Sequence, residues 1–304
     1  MLNRLGLAVV LALAVAAPGI AAPPVESGRT FQAGGATIYF EALGPTAGTP
    51  FVVVNGGPGF DHSYLHVSNV WSELAKKRPV ILYDQRGTGK SIAGEKPGTL
   101  ADQIEDLDAL RRQLGAEKID LLGHSWGGYL VMAYTARHPD HVRRLVIVDS
   151  AAPRWSDTVT LFKDVFPDRV EHEDSLGFAA ALGDPAASAD RMRDYFSMLF
   201  YDPEHRDAFL AAAVTSYRYS SDVNRALNAD LARFDLGPEL AKFRVPTLVI
   251  NGRFDANVAP STADRIHKAI SGSRFVIFEK SGHLPFFEEP AKFVQVVEEL
   301  LDGR

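Results

Sequence analysis

The sequence predicts an α/β fold in which a parallel sheet is covered by helices and interrupted by a helical insertion. Short apolar runs closed by Gly, Asn or Asp alternate with stretches of helical periodicity. The alternation stops between about Ala151 and Lys242, where no strand-like run occurs, and resumes at Phe243. Alternating strands and helices imply crossover connections, which make a parallel sheet with helices on its faces.

The elements follow in chain order. Met1 to Arg4 is a short basic segment, Leu5 to Ala17 is apolar, and Pro18 to Pro24 carries small residues and prolines. The apolar stretch is short for a bilayer span, and the pattern is that of an export leader, residues 1–22, cleaved near Ala21 or Ala22. Thr37 to Leu43 alternates in polarity after Gly34-Gly35, as a strand with one buried face does. Phe51 to Val54 and Val80 to Tyr83 are continuous apolar runs stopped by Asn-Gly and Asp-Gln-Arg-Gly, which suits strands buried on both faces. The same type recurs at Ile119 to Leu122, Leu145 to Val148, Thr247 to Ile250 and Phe275 to Phe278. Leu100, Ile104, Leu107, Leu110 and Leu114 mark one helix face, with Thr99 and Asp102 forming a capping box and Gly115 just past the end. Phe293, Val296, Val297, Leu300 and Leu301 mark the buried face of a terminal helix. The organisation expected is a leader (1–22), a first core part (28–150), a helical cap (151–242) and a second core part (243–304).

Composition narrows the function. Removing the leader leaves about 280 residues, enough for one large domain or a domain with an insertion. The chain has no cysteine, which excludes disulfides, thiol catalysis and thiolate metal sites. A formal charge of −6 without a basic run argues against nucleic acid or an anionic membrane surface as partner.

Chemistry concentrates at the ends of the expected strands. Gly123-His-Ser-Trp-Gly127 lies between a strand-like and a helix-like stretch, where a serine can project from a sharp turn only if its neighbours are very small. A serine hydroxyl is a poor nucleophile at neutral pH, so Ser125 needs a base, and the base needs an acid to hold its tautomer. His283 follows the run Phe275 to Phe278, and Asp255 follows Thr247 to Ile250. Asp149, just after Leu145 to Val148, competes for the acid role, and Asp255 is preferred because the order Ser, Asp, His then matches a recurring hydrolytic triad. Asn55-Gly-Gly-Pro-Gly59 follows another strand, so backbone N–H groups of Gly57 and Trp126 are expected to face a developing oxyanion. His62 and His66 lie four apart, but no neighbouring carboxylate in the sequence completes a zinc motif, and no metal is expected. Arg86 to Ser91 ends like a phosphate loop, yet Asp84 stands where that loop needs glycine.

Asn55-Gly-Gly-Pro-Gly59, Asp84-Gln-Arg-Gly-Thr-Gly-Lys-Ser91, Gly123-His-Ser-Trp-Gly-Gly128 and Ser281-Gly-His283 together resemble the signatures of α/β-hydrolases of the proline iminopeptidase type. The resemblance implies an eight-stranded, mostly parallel sheet with helices on both faces, an inserted helical cap, no cofactor, and an acyl-enzyme on Ser125. It implies a short-peptide or small-molecule substrate, with the N-terminal residue of a short peptide released. A carboxylesterase acting on small esters is the alternative, and a non-catalytic ligand-binding homologue is the alternative from another class. The chain departs from the family pattern in having Asn55 where its members carry histidine. The family binds the substrate's α-amino group with cap glutamates; here Glu171, Glu173, Asp174, Asp222 and Glu239 read as solvated helix-face charges. Trp155, Phe196, Phe200, Tyr201, Tyr217 and Tyr219 are expected to pack the cap on the core, or else to line an apolar pocket. With the leader removed no stable membrane insertion is expected, and the location is periplasmic or secreted.

Overall fold

Strand order places the chemistry of this chain at one edge of its sheet. The computed structural model describes residues 28–95, 98–213 and 218–303, so the expected leader (1–22) and Tyr217 lie outside the described residues. The strands are β1 (Arg29–Ala33), β2 (Ala36–Leu43), β3 (Phe51–Val54), β4 (Val80–Tyr83), β5 (Ile119–His124), β6 (Val142–Val148), β7 (Thr247–Gly252) and β8 (Arg274–Phe278). Among the described residues they form one eight-stranded sheet in the order β1-β2-β4-β3-β5-β6-β7-β8. The pairs β1/β2 and β2/β4 are antiparallel, and the rest are parallel. Every residue of β3, β4, β5 and β7 is buried, as expected of strands covered on both faces.

The connections on the first side of β3 run outward to β4, and those on the other side run through β5 to β8. The chain therefore reverses direction at β3, and the crevice beyond the carboxyl ends of β3 and β5 is where such sheets take ligands. Asn55 follows β3 directly and Ser125 follows β5 directly.

The helices of the first half are α1 (Val70–Leu74), α2 (Leu100–Gln113) and α3 (Trp126–Arg137). Helix α2 starts at the expected capping box, with Thr99 and Asp102 bonding each other's backbone, and Gly115 beyond its end has φ +66°. Between β6 and β7 lie α4 (Phe162–Val165), α5 (Pro167–Ala181), α6 (Pro185–Ser197), α7 (Pro203–Ala213), α8 (Ser221–Leu231) and α9 (Gly237–Leu240). The chain closes with α10 (Pro260–Ala269), α11 (Pro285–Glu288) and α12 (Pro290–Leu301). Helix α12 buries Phe293, Val296, Val297 and Leu301, while Leu300 is only half-buried at the edge of that face. No helix among the described residues is long and apolar enough to cross a membrane.

The Asp84-Gln-Arg-Gly turn ties the sheet to the crevice. Arg86 is buried and forks onto Asp106 of α2 at 2.7 and 2.5 Å, while also donating to the carbonyls of Ala33 and Gly34 in the β1–β2 hairpin. Asp106 is buried too, so the two charges compensate each other away from water. Gln85 donates to the Asn55 carbonyl at 2.9 Å and accepts from the Trp126 indole at 2.7 Å. One side chain thus spans the turns after β3 and β5.

Candidate active site

Ser125 sits in a backbone conformation that few non-glycine residues adopt, with φ 57° and ψ −120° between β5 and α3. The neighbouring glycines are required sterically. A Cβ on Gly123 would lie 2.2 Å from the Gly127 carbonyl oxygen, and one on Gly127 would lie 2.2 Å from that of Val54. The strained turn lifts the serine off the sheet edge, and such strain persists only where surrounding packing over-determines it. Ser125 is 8% exposed.

His283 lies on the loop after β8, with Nδ1 2.8 Å from Oδ2 of Asp255. The other oxygen of Asp255 accepts the amides of Asn257 and Val258, each at 2.9 Å. A carboxylate can only accept, so Nδ1 carries the proton and the Nε2 of a neutral ring presents a lone pair. That lone pair faces the Asn257 amide nitrogen at 3.0 Å rather than Ser125, although Ser125 and His283 line one pocket. Asn257 also donates to the Tyr195 hydroxyl at 3.2 Å. For Ser125 to be deprotonated, its hydroxyl must replace Asn257 at Nε2, and catalytic hydrogen bonds are often loose before substrate binds.

Asp149, the competitor for the acid role, lies beside Asp255, and the acceptor atoms of Asp149, Asp255 and His283 stand within 4.8 Å of one another. Asp149 has φ 45°, accepts the Gly252 amide at 2.8 Å through Oδ1, and is fully buried. Burial, and then the charge of Asp255, push its carboxyl well above the usual range. Its second oxygen, Oδ2, is buried without a hydrogen-bond partner among the described residues. The geometry gives the imidazole to Asp255 and leaves Asp149 beside it without a hydrogen bond to the ring.

The amides of Gly57 and Trp126 donate to no other described residue, and Trp126 begins α3. Gly57 has φ 142°, where a side chain would be strained. Asn55, in place of the family's histidine, turns its amide into the loop and donates to the carbonyls of Gly56 and Phe60 at 2.9 and 2.8 Å. It thus braces the loop from inside.

Several site residues were not legible in the sequence. The Gly56 amide donates to the Tyr64 hydroxyl at 2.6 Å, and that hydroxyl lies 2.7 Å from Nδ1 of His124. Nε2 of His124 lies 2.8 Å from the carbonyl of His283, which can only accept. Burial, with His283 next to it, holds His124 well below the usual histidine range, so a neutral ring donates from Nε2 and accepts at Nδ1. This chain of contacts links the loop after β3 to the backbone of His283. Its members are 60 and 159 residues apart in sequence, so no local pattern announces it.

The pocket at Ser125 is small, about 20 Å³, and walled by Phe60, Tyr64, Tyr195, Phe196 and Leu199. That is room for about one water molecule. Pocket lining was the alternative reading for Phe196; Phe60 and Tyr195, stacked at 6.3 Å, had no such reading. Trp155 packs on Trp126 and Tyr129, Tyr219 rests on Phe60, and Phe200 and Tyr201 line a separate cavity of about 400 Å³. Of the candidate cap carboxylates, Glu171, Asp174 and Asp222 are exposed and Glu239 pairs with Lys242. Glu173 is half-buried and pairs with Arg191 at 3.2 Å.

Glu288 braces the histidine loop. Its carboxylate accepts the amides of Tyr201, Asp202 and Gly282 at 2.9, 3.0 and 2.6 Å. Burial pushes this carboxyl from 4.5 up to about 7, the three amides offsetting part of the rise. Because the folded value lies above the unfolded one, the folded state binds more protons between those pH values, and stability falls as pH rises through 4.5 to 7. The loss is on the order of 2 kcal/mol. Urea unfolding at pH 5 and pH 8 should show a drop that shrinks by about that amount in Glu288→Gln; an equal drop in both proteins assigns it elsewhere.

Comparison with known proteins identifies the family and the fold. Residues 49–290 match the family model described as alpha/beta hydrolase fold. A proline iminopeptidase of Heyndrickxia coagulans is 31% identical over 282 residues, spanning 84% of this chain and 91% of that protein. One from Saccharolobus solfataricus is 30% identical over 265 residues, spanning 83% and 84% respectively. Among solved structures, an esterase from Exiguobacterium antarcticum superposes with TM-score 0.68 at 26% identity, covering 90% of this chain and 99% of that one. An alpha/beta fold family hydrolase from Bacillus anthracis superposes with TM-score 0.76 at 20% identity, covering 91% and 99%, a likeness of fold alone.

Proposed function

Since the chain belongs to the α/β-hydrolase family of the proline iminopeptidase type and is a serine hydrolase, we propose that Ser125 is its nucleophile and that it releases N-terminal residues from short peptides. His283 takes the serine proton and returns it to the leaving amine, Asp255 stabilises the imidazolium, and Gly57 and Trp126 donate to the oxyanion. Water then releases the acyl group. The observation that carries this reading is the Asp255–His283 contact of 2.8 Å behind the pocket that Ser125 shares with His283.

The peptidase reading is supported by the relatives' activity and by Glu173. Glu173 pairs at 3.2 Å with Arg191 of α6, the helix that also carries Tyr195, a wall of the pocket. A substrate ammonium competing for Glu173 would anchor the free N terminus. The second reading, a carboxylesterase, is favoured by the pocket wall at Ser125, which holds aromatic and aliphatic side chains and no carboxylate among the described residues.

Purified protein assayed on prolyl and alanyl arylamides beside short-chain aryl esters separates the two. The peptidase reading expects arylamide cleavage, with Glu173→Gln raising KM for arylamides about 10- to 100-fold and leaving ester KM unchanged. Ester turnover with no arylamide cleavage, even of alanyl or prolyl compounds, overturns it in favour of the esterase.

Export through residues 1–22, to the periplasm or the medium, belongs to the same proposal. It rests on the basic start, the apolar run Leu5 to Ala17 and the small residues that follow. Sequencing the N terminus of protein recovered from the host should find it starting just after Ala21 or Ala22; an intact Met1 in the bulk of the protein contradicts export.

A further inference from the structure

His62 and His66 lacked a carboxylate in the sequence, and the fold supplies one from 21 residues upstream of His62. Glu41 on β2 places Oε2 3.4 Å from Nε2 of His62 and 3.0 Å from Nε2 of His66. Both histidines sit on the 3-10 segment His62–Val67, and the Nε2 atoms of both reach the same oxygen of Glu41. We infer that Glu41, His62 and His66 form a binding site for a divalent transition metal, zinc by preference.

Four features of the geometry argue for it. The first is spacing: two ligands on a tetrahedral zinc with bonds of about 2.0–2.1 Å stand about 3.3 Å apart, close to both separations. The second is the state of Glu41. Its Oε1 accepts from the Tyr39 hydroxyl at 2.7 Å, but Oε2 is buried without a hydrogen bond, because neither imidazole aligns an N–H with it. The two imidazoles meet this oxygen as ion-pair partners without an aligned hydrogen bond, and a metal would take the place of the ring protons between the three atoms. The third is outer support. Nδ1 of His62 lies 2.6 Å from Oδ1 of Asp84, the carboxylate–histidine arrangement that orients a metal-binding imidazole and raises its basicity. The fourth is access. A cavity of about 220 Å³ opens over the cluster, leaving a fourth position for water or another exchangeable ligand.

Two imidazoles and one carboxylate suit zinc and neighbouring first-row ions rather than calcium or magnesium, which prefer all-oxygen sites. Lys90, 3.9 Å from Oε1 of Glu41, and Arg218 on the cavity wall lie outside the donor set, and Asp61 and Asp84 offset their charge. The comparable cluster of Asp108, His138 and His141 differs, since Arg111 and Arg112 already occupy Asp108. A metal at Glu41 would pin β2 to the turn that carries Tyr64, whose hydroxyl takes the Gly56 amide. The site is separate from Ser125 and does not depend on what Ser125 does.

The test uses the full chain, stripped with a chelator and then titrated with zinc alone and with cobalt alone. One equivalent of zinc should bind and raise Tm by about 5 °C at saturation, and cobalt should give the strong visible absorption of a four-coordinate site. His66→Ala and Glu41→Gln should each lose the bound equivalent and the Tm rise, and Asp84→Asn should weaken affinity about 10- to 100-fold. His138→Ala should keep the equivalent. Tm of each variant without metal reports folding, and the half-exposed His66 makes its alanine variant the safer of the two. No zinc bound at large excess overturns the inference, as does an equivalent that survives in both His66→Ala and Glu41→Gln.

Discussion

Ser125→Ala is expected to lower kcat by on the order of 10⁵- to 10⁶-fold on every substrate the protein turns over, while leaving Tm unchanged. The activity loss follows from removing the atom that forms the acyl-enzyme; what persists comes from the oxyanion amides and from binding, about 10³- to 10⁴-fold over water. The unchanged stability follows from the backbone. Alanine at φ 57°, ψ −120° is as strained as serine, and Ser125 Oγ neither caps α3 nor bonds His283, so its loss orphans no partner. Ser125→Gly is equally inactive but adopts this conformation freely, and should gain part of the roughly 1–3 kcal/mol stored in the turn. Urea unfolding of the three proteins, alongside kcat/KM on an ester and an arylamide, checks both halves. An alanine variant with a few per cent of wild-type turnover removes Ser125 from the chemistry.

Asp255→Asn is expected to cost about 10⁴-fold in kcat, and Asp149→Asn less than about tenfold. Asparagine at 255 can turn its NH₂ toward Nδ1 of His283, which forces the ring proton to Nε2 and removes the lone pair that must accept from Ser125. Asp149 is different because burial and the charge of Asp255 favour its neutral form. Its Oδ1 accepts the Gly252 amide, and its Oδ2 is buried without a hydrogen-bond partner among the described residues. Asparagine is neutral and can still accept the Gly252 amide with its oxygen, so little changes at His283. Asp149→Ala, by contrast, orphans the buried Gly252 amide and should cost about 1–3 kcal/mol of stability. Steady-state kinetics on both asparagine variants decide the matter: a large loss at 149 with a small one at 255 would make Asp149 the acid that serves His283.

That competition shows what a linear chain reveals and what it hides. Ser125, Asp149, Asp255 and His283 were all visible because each follows an apolar run, and strand ends in a parallel sheet converge on one edge. Chain order favoured Asp255 over Asp149, and the fold adds a distance, since both strands end beside each other and His283 Nδ1 lies 2.8 Å from Asp255. Strands β3 and β4 were legible to the residue, because burial on both faces leaves no polar position to blur the run. Strand β1 carries no such signal. It is an edge strand that exposes Arg29, Thr30 and Gln32 and buries only Phe31 and Ala33. Tyr64, His124, Asn257 and Glu41 escaped for another reason: each acts across elements distant in sequence, and contact of that kind leaves no period or spacing to read.

The most direct test is covalent labelling with a fluorophosphonate, which reacts with a serine only when a base has activated it and amides await the oxyanion. Intact-mass and peptide spectra should show one adduct per chain, on the peptide containing Ser125, absent in Ser125→Ala and formed far more slowly in His283→Ala. A wild-type protein that stays unlabelled, or an adduct that persists in Ser125→Ala, would contradict the account.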